Sequence, residues 1–152
     1  MISIVIPTFN NLNYLRLCID SIKKNSKYNH EIKLHINDGS DGTIEYAKNN
    51  NIFFTHSKNN IGLCSAINKV SSTVNSKYIL YAHDDMYFCP EWDINLINEI
   101  KKINHDNFFL SGTLIEAYSG HIKFNCGDKL SNFDESKLLN NYKTKNFYNY
   151  QG

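Results

Sequence analysis

Three short polar clusters carry the side chains that could do chemistry, and each one follows an apolar run. They are Pro7–Asn10 (Pro-Thr-Phe-Asn), Asp38–Asp41 (Asp-Gly-Ser-Asp) and His83–Asp85 (His-Asp-Asp). The paired carboxylates of Asp84 and Asp85 are the oxygen ligands that hard divalent cations prefer. A cation held there could act as a Lewis acid on a bound anion. The alternative is that the two aspartates only cap the turn that follows them.

The spacing of apolar residues predicts the elements that position these clusters. Short apolar runs predict four strands, at Ser3–Ile6, Glu31–Asn37, Ile52–Thr55 and Tyr78–Ala82. Steps of three and four predict helices over 12–22, 43–49 and 63–70, and a fourth with Pro90 at its first helical position. This alternation predicts a Rossmann-like α/β fold, with a mostly parallel sheet flanked by helices. Ligands bind such sheets at the carboxyl ends of the strands, where all three clusters lie.

The remaining local signals are weaker. Asn10-Asn11 predicts the cap of the first helix. A strand opening at Phe108–Leu110 and a hairpin pairing Thr113–Ala117 with His121–Cys126 are expected next. From Gly127 to Gly152 the sequence is polar and weakly periodic, so we expect a loop there, with a tail that is mobile or docked against a partner.

Composition excludes several classes of protein. Of the 152 residues, 41% are apolar and 13% aromatic, so the chain can form a core and is not wholly disordered. The 16 basic and 15 acidic residues nearly cancel, which argues against a nucleic-acid partner. No apolar run approaches the ~20 residues of a transmembrane segment. We therefore expect a cytoplasmic protein, and leave open a location at the membrane surface.

Two residue types limit the chemistry further. Arg16 is the single arginine, so an anion site must use lysine, backbone N–H groups or a metal. The four cysteines lack CxxC spacing, which favours reduced thiols over a metal cluster or a disulfide framework.

The ordered motifs resemble the family 2 glycosyltransferases, which have the GT-A fold. The resemblance covers residues 2 to about 95 and rests on four segments in order: Pro7–Asn10 after the first strand, Asp38-Gly39-Ser40 after the second, Asn60-Ile61-Gly62 with Ala66-Ile67-Asn68, and Asp84-Asp85 with Pro90 and Trp92. Each segment alone is a weak signal, and the ordered set is specific. The resemblance implies transfer of a sugar from a nucleoside-diphosphate sugar, of UDP or dTDP type, to a hydroxyl of a glycan or lipid-linked acceptor. Inversion, a divalent cation (Mn²⁺ or Mg²⁺) and a role in polysaccharide synthesis are implied in the same way.

The resemblance also implies roles for individual residues. Asp85 would bind the metal directly, and Asp84 would bind the ribose or hold a metal-bound water. The predicted nucleotide-binding residues are Pro7, Thr8, Phe9, Asn10, Asp38, Gly62 and Asp84. In this set the carboxylate of Asp38 would accept the imide N–H of uracil or thymine. Simpler alternatives remain open, with Asp38 in an Asx turn, Asn10 as a helix cap beside a core Phe9, and Gly62 in a helix-start turn.

The chain departs from the family pattern in two turns and in length. The Asp-Gly-Ser turn is one residue short, which leaves the position of Asp41 open, and the acidic motif begins at Ala82 where the family often has Asp. We expect one domain, 1–152, with a nucleotide-sugar-binding half (1–105) and an incomplete acceptor side (106–152), apparently truncated at the carboxy-terminal side. The catalytic base is unknown, and Glu116 and Asp128 are weak candidates.

Three rival functions compete with sugar transfer. The closest is a nucleotide-sugar-binding fragment without activity because its downstream base is missing. A nucleotidyltransferase would place a glycine-rich loop after the first strand, and Pro7–Asn10 contains no glycine. A glycoside hydrolase would need two facing carboxylates, and no such pair is evident.

Overall fold

The computed structural model describes residues 2–145. The chain divides into two compact units, Met1–Phe88 and Cys89–Gly152. The division lies inside the single domain expected from the sequence, between the acidic pair and Trp92. The three polar clusters all belong to the first unit.

The first unit is built on a four-stranded, fully parallel sheet in the order β3-β2-β1-β4. Its strands are β1 (Ile2–Phe9), β2 (Glu31–Asn37), β3 (Phe53–Ser57) and β4 (Tyr78–Tyr81). Seven consecutive residues of β1 are buried, which requires cover on both faces because successive side chains point to opposite sides. The predicted parallel sheet flanked by helices is confirmed, and the second predicted strand has the observed bounds.

Three helices connect these strands: α1 (Leu12–Asn25), α2 (Thr43–Asn49) and α3 (Leu63–Ser71). The buried stripe of α1 includes Leu15, Ile19 and Ile22, at the predicted spacing. The helix α3 buries Ala66 and Val70 and packs on β1 and β2. A parallel pair of strands needs such a crossover, so each helix returns the chain to the end of the sheet at which the strands begin.

Strand register brings the polar clusters to one edge. Phe9 pairs with Asn37, so the ends of β1 and β2 coincide and the residues that follow them are neighbours. The strand β4 stops earlier, because Tyr81 pairs with Val5. If the pairing of β4 with β1 continued in the same register, Asp84 would lie opposite Thr8. The hydrogen bond from Ala82 N to Val5 O (3.1 Å) extends this pairing by one residue beyond Tyr81.

The second unit contains α4 (Trp92–Lys102), the two-residue strands β5 (Ile115–Glu116) and β6 (Ile122–Lys123), a 3₁₀ turn at Leu130–Asn132, and α5 (Glu135–Lys145). Both helices carry basic residues in the last turn, where they oppose the negative end of the helix dipole. None of the helices in residues 2–145 combines the length and apolar character that crossing a membrane requires.

Four local predictions fail in this unit. Pro90 is not the first helical residue, because Glu91 adopts a left-handed φ of 67° and α4 begins after it. Phe108–Leu110 is not a strand, and Phe109 is 92% exposed, so this apolar run has no sheet to join. The expected hairpin is wrong in direction: Ile115 pairs antiparallel with Gly120 and then parallel with Ile122, so the chain reverses twice.

The fourth failure is the segment after Gly127, which is not a loop throughout. The helix α5 occupies Glu135–Lys145, and the side chain of Asp134 caps it by accepting from Lys137 N (2.8 Å). An Asp followed by Glu in a first turn is a helix-start signal, but Leu138 is the one buried apolar residue of the helix and gives little periodicity. The tail prediction for residues 146–152 lies outside the described residues.

Candidate functional site

A cleft of about 320 Å³ opens at the carboxyl ends of β1, β2 and β4. Residues from all three strand ends line it, together with residues of the segment that leads into α3: Pro7, Thr8, Phe9, Asn10, Asn11, Asn37, Asn60, Leu63, His83 and Asp84. A polar cleft at this edge of a parallel sheet is the position expected for a ligand site. Of the predicted nucleotide-binding residues, five line the cleft, and Asp38 and Gly62 do not.

Asp84 is the acidic group of the cleft lining, and it is partly buried. Asn11 Nδ2 donates to Asp84 Oδ1 (3.0 Å). Burial raises the pKa of this carboxyl above its ordinary value, and the negative charge of Asp85 adds to the effect. The Asn11 hydrogen bond and the nearby Thr8 hydroxyl oppose the rise without cancelling it. Within residues 2–145 no lysine or arginine forms an ion pair with either aspartate.

The negative charge of Asp84 and Asp85 also affects the pKa values of neighbouring groups. It acts with burial, the larger cause, to raise the pKa of the Cys18 thiol to about 12 and to raise the pKa of Tyr81. Tyr81 also makes a 2.8 Å hydrogen bond to His83 Nε2, and His83 lines the cleft. This corner of the site therefore has an excess of negative potential that a cation would relieve.

Thr8 is a buried residue whose hydroxyl acts on the nearby Asp84 carboxyl in the direction that lowers its pKa. It is 3% exposed, and its hydroxyl oxygen makes no hydrogen bond of normal geometry to any described residue. Buried hydroxyls are normally paired, because an unpaired one loses its bonds to water without replacement. The position of Thr8 on the cleft wall makes a bound ligand the natural partner for this group.

Asn10 and Asp38 join the first two clusters. Asn10 Nδ2 donates to Asp38 Oδ2 (2.8 Å), and Gly39 N donates to Asn10 Oδ1 (3.0 Å). Asn10 has a left-handed φ of 47° and Asp38 one of 58°. The side chain of Asn10 is thus not a helix cap, as one alternative held. Phe9 is 50% exposed, so it is not a core residue either.

Asp41, whose position the short turn left open, caps two helices. Its Oδ2 accepts from Leu12 N at the start of α1 (2.8 Å), and its Oδ1 accepts from Thr43 N (3.1 Å) and Thr43 Oγ1 (2.6 Å) at the start of α2. Burial alone would raise the pKa of Asp41, but the bonds from Thr43 and Leu12 together hold it below its ordinary value. The predicted cap residue Asn11 makes no side-chain capping bond.

Gly62 lies at the start of α3 with its N–H already bonded, to Asn60 Oδ1 (2.9 Å). Asn37 Oδ1 accepts from Ile61 N (3.0 Å) and so ties this segment to the end of β2. Asn37 and Asn11 line the cleft, although neither was predicted as a site residue. Their positions in the sequence could have indicated them, because each directly adjoins a residue of a predicted cluster.

The two candidate bases belong to the second unit, and both make local contacts. Glu116, in β5, accepts a hydrogen bond from Ser119 Oγ. Asp128 Oδ1 accepts from Asn132 Nδ2 (2.7 Å), and this bond is the main cause that lowers the pKa of the Asp128 carboxyl. A lowered pKa makes a carboxylate a weaker proton acceptor.

Comparison with known proteins extends the likeness over almost the whole chain. The sequence model of the family described as "Glycosyl transferase family 2" matches residues 3–151. The chain belongs to glycosyl transferase family 2. An uncharacterized glycosyltransferase of Rickettsia bellii is 33% identical over 118 residues, which cover 74% of this chain and 17% of that protein. One from Rickettsia prowazekii is 35% identical over 106 residues, covering 66% of this chain and 33% of the relative.

Solved structures share the fold. A crystal structure of S. aureus TarS 1-349 matches 66% of this chain and 32% of its own, with a TM-score of 0.57 and 18% identity. The same TarS segment in complex with UDP-GlcNAc matches 66% of this chain and 31% of its own, with a TM-score of 0.58 and 18% identity. The predicted GT-A fold is therefore confirmed. The chain spans about a third or less of the length of these relatives and structures.

Proposed function

We propose that this chain is the donor-binding part of a glycosyltransferase that uses a nucleoside-diphosphate sugar of UDP or dTDP type. The observation that carries the proposal is the cleft at three strand ends, lined by the buried Thr8 hydroxyl and by a carboxylate without a cationic partner among the described residues. Family membership supports the reaction class. One of the related crystal structures is TarS in complex with UDP-GlcNAc, and that likeness supports the donor class.

The acidic pair fits a divalent cation. Asp84 and Asp85 offer hard oxygen ligands, and burial of Asp84 beside a second negative charge leaves its pKa raised. No group of three His, Cys, Asp or Glu side chains in residues 2–145 could hold a metal. Mg²⁺ is commonly held by one or two carboxylates, with water and substrate phosphates completing its shell. Asp85 would bind the cation directly, with Asp84 at the ribose or a metal-bound water, and the cation would stabilise the departing diphosphate.

The rest of the cleft would orient the nucleotide. The Thr8 hydroxyl and the exposed ring of Phe9 would contact base and ribose, and Asp38 would accept the N–H of an imide base. Arg16, the single arginine, lies on α1 and does not line the cleft. The donor's charge would therefore be met by the cation and by backbone N–H groups. The acceptor would be a hydroxyl of a glycan or of a lipid-linked sugar, and transfer would invert the anomeric centre.

A second function is donor binding without transfer. The observation that favours it is the local bonding of the two candidate bases: Glu116 accepts from Ser119, and Asp128 accepts from Asn132 with its pKa lowered, so neither has the free position of a general base. A base must approach the acceptor hydroxyl within ~2.6–3.2 Å, directly or through one water. We propose that the 152-residue chain binds its donor and does not turn over efficiently.

Calorimetry of the chain with UDP at millimolar concentration, with and without Mn²⁺, tests donor binding. Heat that depends on Mn²⁺ is expected, and the control Asp20→Ala, at an exposed position on α1, should behave as the unsubstituted chain does. The absence of heat with every nucleoside diphosphate, on a sample shown to be folded, would overturn the proposal. Release of labelled sugar to a glycan acceptor over many turnovers would overturn only the second function, and would make Glu116 and Asp128 the first bases to replace.

A further inference from the structure

The contact between Asn10 and Asp38 has a defined direction. The N–H of Gly39 can only donate, and it reaches Asn10 Oδ1 (3.0 Å). The carboxylate of Asp38 accepts, and it receives Asn10 Nδ2 (2.8 Å). These two partners fix which end of the Asn10 amide is oxygen and which is nitrogen. The side chain is thus held at both ends by the turn that carries Asp38.

The network uses only one oxygen of the Asp38 carboxylate. Ser40 Oγ donates to the same Oδ2 that Asn10 uses, at 3.2 Å. Oδ1 has no hydrogen-bond partner within the part of the chain that the structure describes. Since both bonds hold one oxygen, the orientation of the other is set, and it remains available to a donor from outside the protein.

The backbone is shaped to make this contact. Asn10 and Asp38 both lie in the left-handed region, with φ of 47° and 58°. Residues other than glycine seldom adopt it, and Asn and Asp are the usual exceptions. The pairing of Phe9 with Asn37 places these two residues side by side where their strands end. Asn10 lines the cleft, so the network connects Asp38 to the ligand site.

We infer that Asn10 is a positioning residue for base recognition: it orients the Asp38 carboxylate so that one oxygen faces the imide N–H of uracil or thymine. The inference rests on the proposed function, because it assigns a selectivity to that same site. A fixed carboxylate can accept a hydrogen bond from the N–H of an imide. It cannot donate one to a base that has no N–H at that position. Loss of the Asn10 amide would free the carboxylate to rotate, and the preference for an imide would fall.

The test compares UDP with 3-methyl-UDP, in which a methyl group replaces the imide hydrogen, by calorimetry in Mn²⁺. The unsubstituted chain should prefer UDP by roughly tenfold or more, the effect of one hydrogen bond to a charged group. Asn10→Gly suits the positive φ and removes only the amide, and it should reduce that preference to about threefold or less. Asn10→Asp, of the same shape, should reduce it further, because it sets a second carboxylate against Asp38.

Two controls separate positioning from general damage. Ser40→Ala removes the longer of the two contacts and should keep most of the preference. Asn13→Ala, at an exposed position on α1, should leave it unchanged. A merely structural role for Asn10 would weaken both ligands equally, so the ratio of the two affinities is the decisive quantity.

Each outcome has a separate meaning. If the unsubstituted chain binds neither ligand, the proposed function itself fails. If it binds UDP and 3-methyl-UDP alike, Asp38 does not read the imide and the inference is overturned with donor binding intact. If it prefers UDP and folded Asn10→Gly keeps the full preference, the positioning role of Asn10 is overturned alone.

Discussion

Replacing Asp84 with Asn should make the unliganded protein more stable while weakening its site. The change keeps the shape of the side chain and an oxygen for Asn11 Nδ2, which now donates to Asp84 Oδ1 at 3.0 Å. It removes a partly buried negative charge that faces Asp85. Incomplete compensation of a buried polar group costs about 1–3 kcal/mol. Because solvent screens this partly exposed carboxylate, we expect the free energy of unfolding to rise by about 1 kcal/mol and the melting temperature by about 2–4 °C.

The dependence on pH has a definite sign. The folded-state pKa of Asp84 lies above the ordinary value of 3.8, so the folded protein holds this proton more tightly than the unfolded chain does. The contribution to stability is favourable at low pH and is lost as pH rises through the raised pKa. The advantage of Asp84→Asn should therefore be full at pH 7 and should shrink as the solution is acidified toward 3.8.

Ligand should reduce this advantage of the variant. Mn²⁺ with UDP at about ten times its dissociation constant should stabilise the unsubstituted chain by about 1.4 kcal/mol, and should stabilise Asp84→Asn less. Scanning calorimetry of both proteins, with Asp20→Asn as an exposed carboxylate control, measures each quantity. The reasoning is refuted if Asp84→Asn melts lower without ligand at pH 7, or if it gains as much from Mn²⁺ and UDP as the unsubstituted chain.

Three further predictions concern other residues. Asp85→Ala should abolish the Mn²⁺ dependence of UDP affinity and Asp84→Ala should reduce it less, by calorimetry; equal Mn²⁺ dependence in both variants and the unsubstituted chain would make the acidic pair only a turn. Asp41→Ala removes caps from α1 and α2 and should lower the free energy of unfolding by about 1–2 kcal/mol in chemical denaturation at pH 7. If Asp41→Ala destabilises the protein no more than Asp20→Ala does, the capping role of Asp41 is contradicted. Iodoacetamide at pH 8 should modify exposed Cys64 well before Cys18, whose pKa burial raises to about 12, as followed by mass spectrometry; faster labelling of Cys18 would show that its environment opens readily.

Local sequence was sufficient for the parallel sheet of the first unit. Glu31–Asn37 alternates apolar and polar residues, and Thr43–Asn49 was predicted as the helix that follows; both have the observed bounds. The helices α1 and α3 bury stripes of their own residues at helical spacing, so the period of these helices is visible in the chain. In the second unit, Phe108–Leu110 is equally apolar yet forms no strand, because a strand needs a partner that local sequence does not reveal.

The sequence by itself determined that three polar clusters follow three strands, and hence that carboxylates, amides and a hydroxyl lie together at one edge of the sheet. The partners of those groups were decided only by the tertiary structure. Asp41 caps α1 from another turn, Asn10 holds Asp38 instead of capping a helix, and Asn11 donates to Asp84. These bonds join residues 28 to 73 positions apart. Register between strands sets such distances, and register arises from the packing of the whole sheet and not from the spacing of residues within any one segment.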